Sequence, residues 1–307
     1  AAELGRVLAP AGAACLGTSP DGARAVEAAL AQAGLADIRT VKLSRTWIVA
    51  RKLRPAGMDD WTHPSHGPDG NPVSRDQLIE PPDTIRWVTG PTVPTSRPDM
   101  GPAYGGVLKM ASLNGRNFYI LGSGHLVARD GFNGLILWTR PAGSAHEVHT
   151  RLVVAGDKIC MSGNKEVQII DPASGSLIRT IRADPWVMVG LTNRLVAADQ
   201  RTVGCFDLTT GALKWATTNA WGRPDGCPPV ATGNRLYILR GADLSASDVE
   251  TGATLWKMDV TNSLGASARL HFVQGDLLMF RKSTTETNMQ FHALSAKDGS
   301  PLWTFAT

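Results

Sequence analysis

Between residues 107 and 307 the apolar positions come in short runs set off by Gly, Asn and Asp. A turn signal precedes each of five such runs. Asn114-Gly-Arg leads to Phe118–Leu121, Ala155-Gly-Asp to Lys158–Met161 and Leu191-Thr-Asn to Arg194–Ala197. Thr232-Gly-Asn leads to Arg235–Leu239 and Gln274-Gly-Asp to Leu277–Phe280. Gly, Asn and Asp between apolar runs are hairpin signals, so this region predicts many short antiparallel strands. Residues 1–54 read differently. Ala1–Leu8 resembles the end of a helix, Ala13–Gly17 a short strand, and Ala25, Val26, Ala29, Leu30 and Ala33 fall on one helical face. Ile38–Leu43 and Thr46–Arg51 read as two adjacent strands.

The strand-rich region carries a phrase in five copies: Asp130–Trp138, Asp171–Arg179, Asp207–Trp215, Asp248–Trp256 and Ser295–Trp303. Its glycines, Gly134, Gly175, Gly211, Gly252 and Gly299, are 41, 36, 41 and 47 residues apart. From the preceding turn (Gly115, Gly156, Thr192, Gly233, Gly275) to the phrase glycine the distances are 19, 19, 19, 19 and 24. A polar insertion at Ser283–Asn288 accounts for the longer last one. Each unit therefore reads as strand, turn, strand, link, strand ending in Asp, tight turn, and a strand carrying Trp. The turn glycine suits positive φ, and the Asp accepts hydrogen bonds from turn amides. Four strands per repeat of this length make a blade of a β-propeller. The fold class is thus mainly β, with about five four-stranded blades visible, further blades expected, and a small N-terminal α/β segment.

Three regions follow: 1–54 as an α/β segment, 55–106 as a connector holding 10 of the 19 prolines, and 107–307 as the repeats. The order helix, RVLAPAG, strand, helix, AGLADIR, strand, strand resembles the C-terminal part of a class I S-adenosylmethionine-dependent methyltransferase. That resemblance implies a sheet closing with an antiparallel pair. The family's Gly-rich loop and its acidic residue have no counterpart here, so no S-adenosylmethionine-binding residue is carried over. The opening AAELGRVLAPAG and the closing WTFAT read as an internal piece of a longer protein, for which S-adenosylmethionine or a quinone with calcium would be the cofactors to consider.

The phrase D-x-x-T-G-x-x-x-W resembles the tryptophan-docking motif of quinoprotein-like propellers, the pyrroloquinoline quinone (PQQ) repeat family. The resemblance implies that Trp138, Trp215, Trp256 and Trp303 pack between neighbouring blades, with Asp130, Gly134, Asp171, Gly175, Asp207, Gly211, Asp248, Gly252 and Gly299 as the structural docking set. Arg179 departs from it, which implies a differently packed junction. Dehydrogenases of the family use a vicinal Cys-Cys pair, a Ca²⁺ site of Glu, Asn and Asp, a catalytic Asp and a stacking Trp. The four cysteines, Cys15, Cys160, Cys205 and Cys227, include no such pair. By analogy the family also implies an extracytoplasmic location.

Little else carries chemistry. The formal charge of +4 is scattered, which argues against a nucleic-acid partner. No stretch reaches the ~18–20 apolar residues of a membrane-spanning helix. In Asp60-Trp-Thr-His-Pro-Ser-His-Gly-Pro-Asp-Gly-Asn71, His63, His66 and Asp69 are types that ligate metals. Pro64 and Gly67 deny the stretch a helix and no fourth ligand is marked, so it reads instead as a loop that packs Trp61 and uses these side chains for hydrogen bonds. His146-Glu-Val-His149 lacks zinc-protease spacing, Gly122-Ser-Gly124 lacks the setting of a nucleophile elbow, and Trp221–Cys227 reads as an inter-blade loop. The expectation is a non-catalytic binding or assembly module with a protein or small-molecule ligand at the propeller face. The alternatives are a quinone-dependent oxidoreductase or the substrate-selecting part of a methyltransferase.

Overall fold

The computed structural model describes residues 2–78, 84–85, 87–88, 107–122, 124–142, 151–199, 201–218, 228–241, 243–260, 268–283 and 289–306. His146–His149, Trp221–Cys227, Ser123 and the insertion at 284–288 lie outside these residues. The chain divides into two compact units, residues 1–60 with 75–88 and 131–134, and residues 61–74 with 89–130 and 135–307.

The first unit has α1 (Ala2–Val7), β1 (Ala13–Thr18), α2 (Ala23–Gln32), β2 (Leu35–Lys42) and β3 (Thr46–Lys52). Its sheet has the order β1-β3-β2, with β3 antiparallel to both neighbours. Leu30 of α2, Ile48 and Ala50 of β3 and Leu35 of β2 form its buried core. Helix α2 stops at Gly34, whose φ of 76° turns the chain where a residue with a Cβ is disfavoured. Arg54 closes the unit's polar edge, donating from Nη1 to Asp60 (2.7 Å) and from Nη2 to the Asp59 carbonyl (2.9 Å).

Among the described residues the second unit holds five antiparallel four-stranded sheets, each formed by consecutive strands, as propeller blades are. Blade one is β4 (Val107–Leu113), β5 (Arg116–Leu121), β6 (His125–Asp130) and β7 (Ile136–Pro141). Blade two is β8 (Leu152–Ala155), β9 (Lys158–Gly163), β10 (Glu166–Ile170) and β11 (Leu177–Ile181). Blade three is β12 (Val187–Gly190), β13 (Arg194–Ala198), β14 (Thr202–Asp207) and β15 (Leu213–Thr218). Blade four is β16 (Val230–Thr232), β17 (Arg235–Arg240), β18 (Asp243–Asp248) and β19 (Thr254–Asp259). Blade five is β20 (Ala268–Gln274), β21 (Leu277–Ser283), β22 (Met289–Ser295) and β23 (Pro301–Ala306).

The core lies between blades, and strand periodicity puts it there. Successive strand residues face opposite sides. In β8, Leu152 and Val154 join a cluster with Phe118 and Ile120 of blade one, while Val153 and Ala155 join one with Met188 and Leu195 of blade three. Both faces of β8 are buried, which is why it reads as an unbroken apolar run. The same logic joins Val196 and Val203 to Leu236 and Ile238, and Tyr237 and Leu244 to Leu278 and Phe280.

Each phrase turn is fastened alike. The phrase glycine donates its amide to the carbonyl of the residue four before it, at 2.8–2.9 Å for Gly175, Gly211, Gly252 and Gly299. Asp207 Oδ1 accepts the amides of Thr209 (2.9 Å) and Thr210 (2.8 Å), and Asp171 Oδ1 those of Ala173 (3.0 Å) and Ser174 (2.7 Å). These bonds hold both carboxyls below the ordinary Asp value. The leading cause is the Thr210 amide for Asp207 and the Ser174 hydroxyl for Asp171. The fifth copy has Ser295 in the Asp position, and Asp298 supplies the carboxylate instead, accepting from Ser300 N (3.0 Å) and Oγ (2.7 Å).

Candidate functional site

Outer-strand residues of one blade meet the phrase glycine of the next. A Cβ at Gly175 would lie 2.7 Å from the ring of Trp138, and one at Gly252 2.6 Å from Trp215. At Gly299 it would lie 3.1 Å from Trp256. The indole N–H then donates to the carbonyl one residue past the first position of the phrase. Trp138 reaches Pro172 O (3.1 Å), Trp215 reaches Val249 O (2.7 Å) and Trp256 reaches Ala296 O (3.3 Å). Arg179 occupies the equivalent place: its Cδ would be 2.5 Å from a Cβ at Gly211, and its Nη2 donates to Thr209 O at 2.9 Å. The aliphatic stem covers the glycine and the guanidinium replaces the indole donor. Trp303 is 46% exposed.

Within the first unit the same pairing recurs: a Cβ at Gly134 would lie 2.6 Å from the Trp87 ring, and Trp87 donates to Gly131 O at 3.1 Å. Sequence reasoning did not place Trp87 in this set. The signal was Ile85-x-Trp87, the apolar-x-Trp pattern of Ile136-x-Trp138 and Leu213-x-Trp215.

The second feature is the stretch Trp61–Asn71. The first strand of each blade is a sheet edge, so part of its backbone has no strand partner. This stretch takes one amide from every one of those five strands. Ser112 N (β4) donates to Trp61 O at 2.7 Å, and Val154 N (β8) to Thr62 O at 2.8 Å. Gly190 N (β12) donates to His63 Nε2 at 2.9 Å. Ala231 N (β16) donates to Pro68 O at 2.8 Å, and Val273 N (β20) to Asp69 O at 2.9 Å. Trp61 also donates its own amide to Ser112 Oγ at 2.8 Å. A buried amide left unpaired would cost about 1–3 kcal/mol, so each of these contacts matters to the fold.

The stretch folds on itself to do this. His63 and His66 exchange backbone hydrogen bonds of 3.1 Å each way, with His66 at φ 71°. The Trp61 and His66 rings meet edge to face at 5.2 Å. Gly70, at φ 72°, passes between blades four and five; a Cβ there would be 2.8 Å from Val230 Cγ1 and 2.9 Å from His271 O.

His63, His66 and Asp69 are all buried, yet no three His, Cys, Asp or Glu side chains among the described residues are grouped to hold a metal. Both ring nitrogens of His63 are engaged, Nε2 by Gly190 and Nδ1 by Thr62 Oγ1 at 2.8 Å. Burial, with the neighbouring His66 adding to it, pushes the His63 pKa down to about 3. The ring is therefore neutral near pH 7. Asp69 Oδ1 accepts from Asn71 N at 3.2 Å.

Beside the stretch lies a cavity of about 410 Å³. Ser65 and Gly67 of the stretch form one wall. Arg151, Trp186, Met188 and Val230, from the entries to blades two, three and four, form the other. Arg151 Nε donates to Trp186 O at 2.5 Å. The described lining includes His63, Arg151 and His271 and no carboxylate. Calcium takes six to eight oxygen ligands, carboxylates prominent among them. Among the described lining residues there is thus no carboxylate for such an ion. Cys160 and Cys205 are buried elsewhere, and burial pushes their thiols up to about 12 and about 11, which makes them poor nucleophiles.

The family model described as outer membrane protein assembly factor BamB matches residues 93–216 and 198–307. Comparison with curated proteins returns no match. Among solved structures, BamB from Moraxella catarrhalis is similar at 18% identity and TM-score 0.46, over 62% of this chain and 58% of that one. The computationally designed Ika8 protein is similar at 12% identity and TM-score 0.50, over 66% and 62%. A europium-containing methanol dehydrogenase is similar at 11% identity and TM-score 0.47, over 65% and 50%. The chain thus spans less than two thirds of the length of each. No described helix is long and apolar enough to cross a membrane. Taken with the five blades and their repeated phrase, the match over residues 93–307 shows that the chain belongs to the BamB-type, PQQ-like repeat family of β-propellers.

Proposed function

We propose that this chain is a non-catalytic binding and assembly module. The observation that carries this reading is the hydrogen bonding of Trp61–Asp69 to the first strand of all five blades. That edge is committed to holding the protein's own chain. The cavity beside it offers apolar walls and cationic or neutral polar groups, and its described lining has no carboxylate to bind calcium or act as a base. The family description, an outer membrane protein assembly factor, supports a protein partner at the propeller face. In the first unit, the order β1-β3-β2 with an antiparallel central strand supports descent from the C-terminal end of a methyltransferase-like domain. No catalytic role is assigned to it.

The test is turnover. The purified chain, incubated with PQQ and Ca²⁺, is assayed for reduction of an artificial dye with primary alcohols and aldose sugars. No dye reduction above a protein-free control is expected. Calcium-dependent dye reduction that saturates with quinone would overturn the proposal in favour of a quinoprotein oxidoreductase.

A further inference from the structure

We infer that the face of blade five turned away from blade four, around Trp303, is a docking surface for a further blade-type sheet that carries a sixth copy of the phrase turn, supplied from outside the 307 residues. The inference stands on blade packing alone and holds whether or not the chain turns over a substrate.

Strand register defines the face. In blade four, Trp256 is paired with Ala246 and Ala246 with Tyr237, and this row joins a core cluster with Leu278 and Phe280 of blade five. The row Trp215, Cys205 and Val196 of blade three does the same with Leu236 and Ile238 of blade four. In blade five the equivalent row is Trp303, Ala293 and Met279. Side-chain alternation puts it on the opposite face from Leu278 and Phe280, which are committed to blade four. Here the apolar groups stay open. Trp303 is 46% exposed and Phe305 57%. Phe291 is half-buried, whereas Leu244, its counterpart in blade four, is fully buried. This face therefore continues, one repeat further on, the series of interfaces that joins the other blades.

The same series names what covers it. Each covering side chain meets a phrase glycine with φ between 71° and 79°, and a Cβ at that glycine would come within 2.5–3.1 Å of it. Each covering indole donates to the carbonyl one residue past the first position of the phrase. Only a glycine lets a ring lie flat on such a turn, so the requirement is chemical and not merely apolar. Six covering positions exist: Trp87, Trp138, Arg179, Trp215, Trp256 and Trp303. Five glycines answer them, and each is already taken by one of the first five. None of the other 27 glycines in the sequence has Asp or Ser four residues before it. A second copy of the chain has its five phrase glycines covered in the same way, so it offers Trp303 no free turn.

The probe is a fluorescein-labelled synthetic peptide with the sequence of Asp243–Asp259, which holds β18, the phrase turn and β19. Asp243 and Asp259 are register partners, so head-to-tail closure keeps the hairpin in shape before it binds. Fluorescence anisotropy should show saturable binding to the purified chain. Trp303→Ala should weaken it by about tenfold or more, as loss of a central aromatic anchor does. The same peptide with alanine in place of Gly252 should bind no better than a scrambled one. Trp303 is half-exposed, so its replacement should leave the melting temperature near that of the parent; should it not, Phe305→Asp, two residues along the same face, serves instead. Absence of saturable binding, or binding indifferent to both Trp303 and the glycine, would overturn the inference. So would self-association in sedimentation velocity that Trp303→Ala abolishes, which would give the face to a second copy.

Discussion

The amide of Gly190 donates to Nε2 of His63 at 2.9 Å, across 127 residues of sequence. That bond fixes the tautomer. Nε2 must be the acceptor, so Nδ1 carries the proton and donates to Thr62 Oγ1 at 2.8 Å, and the hydroxyl donates on to His66 O at 3.2 Å. A relay of three bonds therefore runs from Gly190 of β12 into the Thr62–His66 turn. His63→Ala strands the Gly190 amide and leaves a hole, and should cost about 2–4 kcal/mol in urea denaturation at pH 8. His63→Gln keeps an acceptor on the side chain and should recover part of the loss. Equal stability of the alanine variant and the parent would show that the contact is dispensable.

The same histidine sets a pH dependence. Its folded pKa, about 3, lies below the ordinary 6.5. Between these values the unfolded chain binds the extra proton, so stability is full above pH 6.5 and falls as the pH drops toward 3. The slope from one such group is at most about 1.4 kcal/mol per pH unit. His271 and His292, both lowered chiefly by burial, act in the same direction. The difference between parent and His63→Gln across pH 4–8 isolates His63: the gap should narrow as the solution becomes more acidic. A gap that stays constant would assign the dependence to other groups.

Blade docking gives a graded series. Trp138→Ala removes a ring lying on Gly175 and the donor to Pro172 O, for an expected loss of about 3 kcal/mol. Arg179→Ala removes only a stem and an exposed donor, for about 1 kcal/mol. Thermal melts of the two variants should keep that order; a larger effect at Arg179 would show that its guanidinium outweighs ring packing.

Gly70→Ala probes the Trp61–Asn71 stretch directly. A Cβ there meets Val230 and the His271 carbonyl below 3 Å, at a positive φ. The expected loss is about 2 kcal/mol or more, combining backbone strain with forced displacement. The same change at Gly233, where φ is positive but no atom lies within 4 Å, should cost only the strain. The difference between the two melts measures the close approach.

Much of the fold was legible because it repeats. Five copies of one phrase at near-constant spacing reveal turns and strand ends that a single copy would leave ambiguous. The fifth copy shows the limit: the carboxylate moves from the first position to Asp298, and only the hydrogen bonds reveal that it still holds its turn. The site was hardly legible at all. Residues 61–71 occur once, and their partners are backbone amides on five distant strands. A backbone amide has no sequence signature, so His63 could not be read as an acceptor for Gly190. The sequence could say that His63 forms hydrogen bonds in a loop, but not with which partner. The cavity has the same difficulty, since Arg151, Trp186 and Val230 come from three different blade entries and share no motif.

The reach of the Trp61–Asn71 stretch changes how the chain must fold. Linear repeat arrays contact only nearest neighbours, so they can fray from either end one unit at a time. Here a segment made before any blade bonds to residues 51, 92, 127, 163 and 204 positions later, at Ser112, Val154, Gly190, Ala231 and Val273. It cannot complete its contacts until the fifth blade has been synthesised and paired. The ordering entropy of one short peptide is thereby shared among all five blades, and loss of any one of them loosens its hold on the rest. Urea unfolding should accordingly be a single transition, with amides in blades one and five exchanging at similar rates, and not a staircase of independent units.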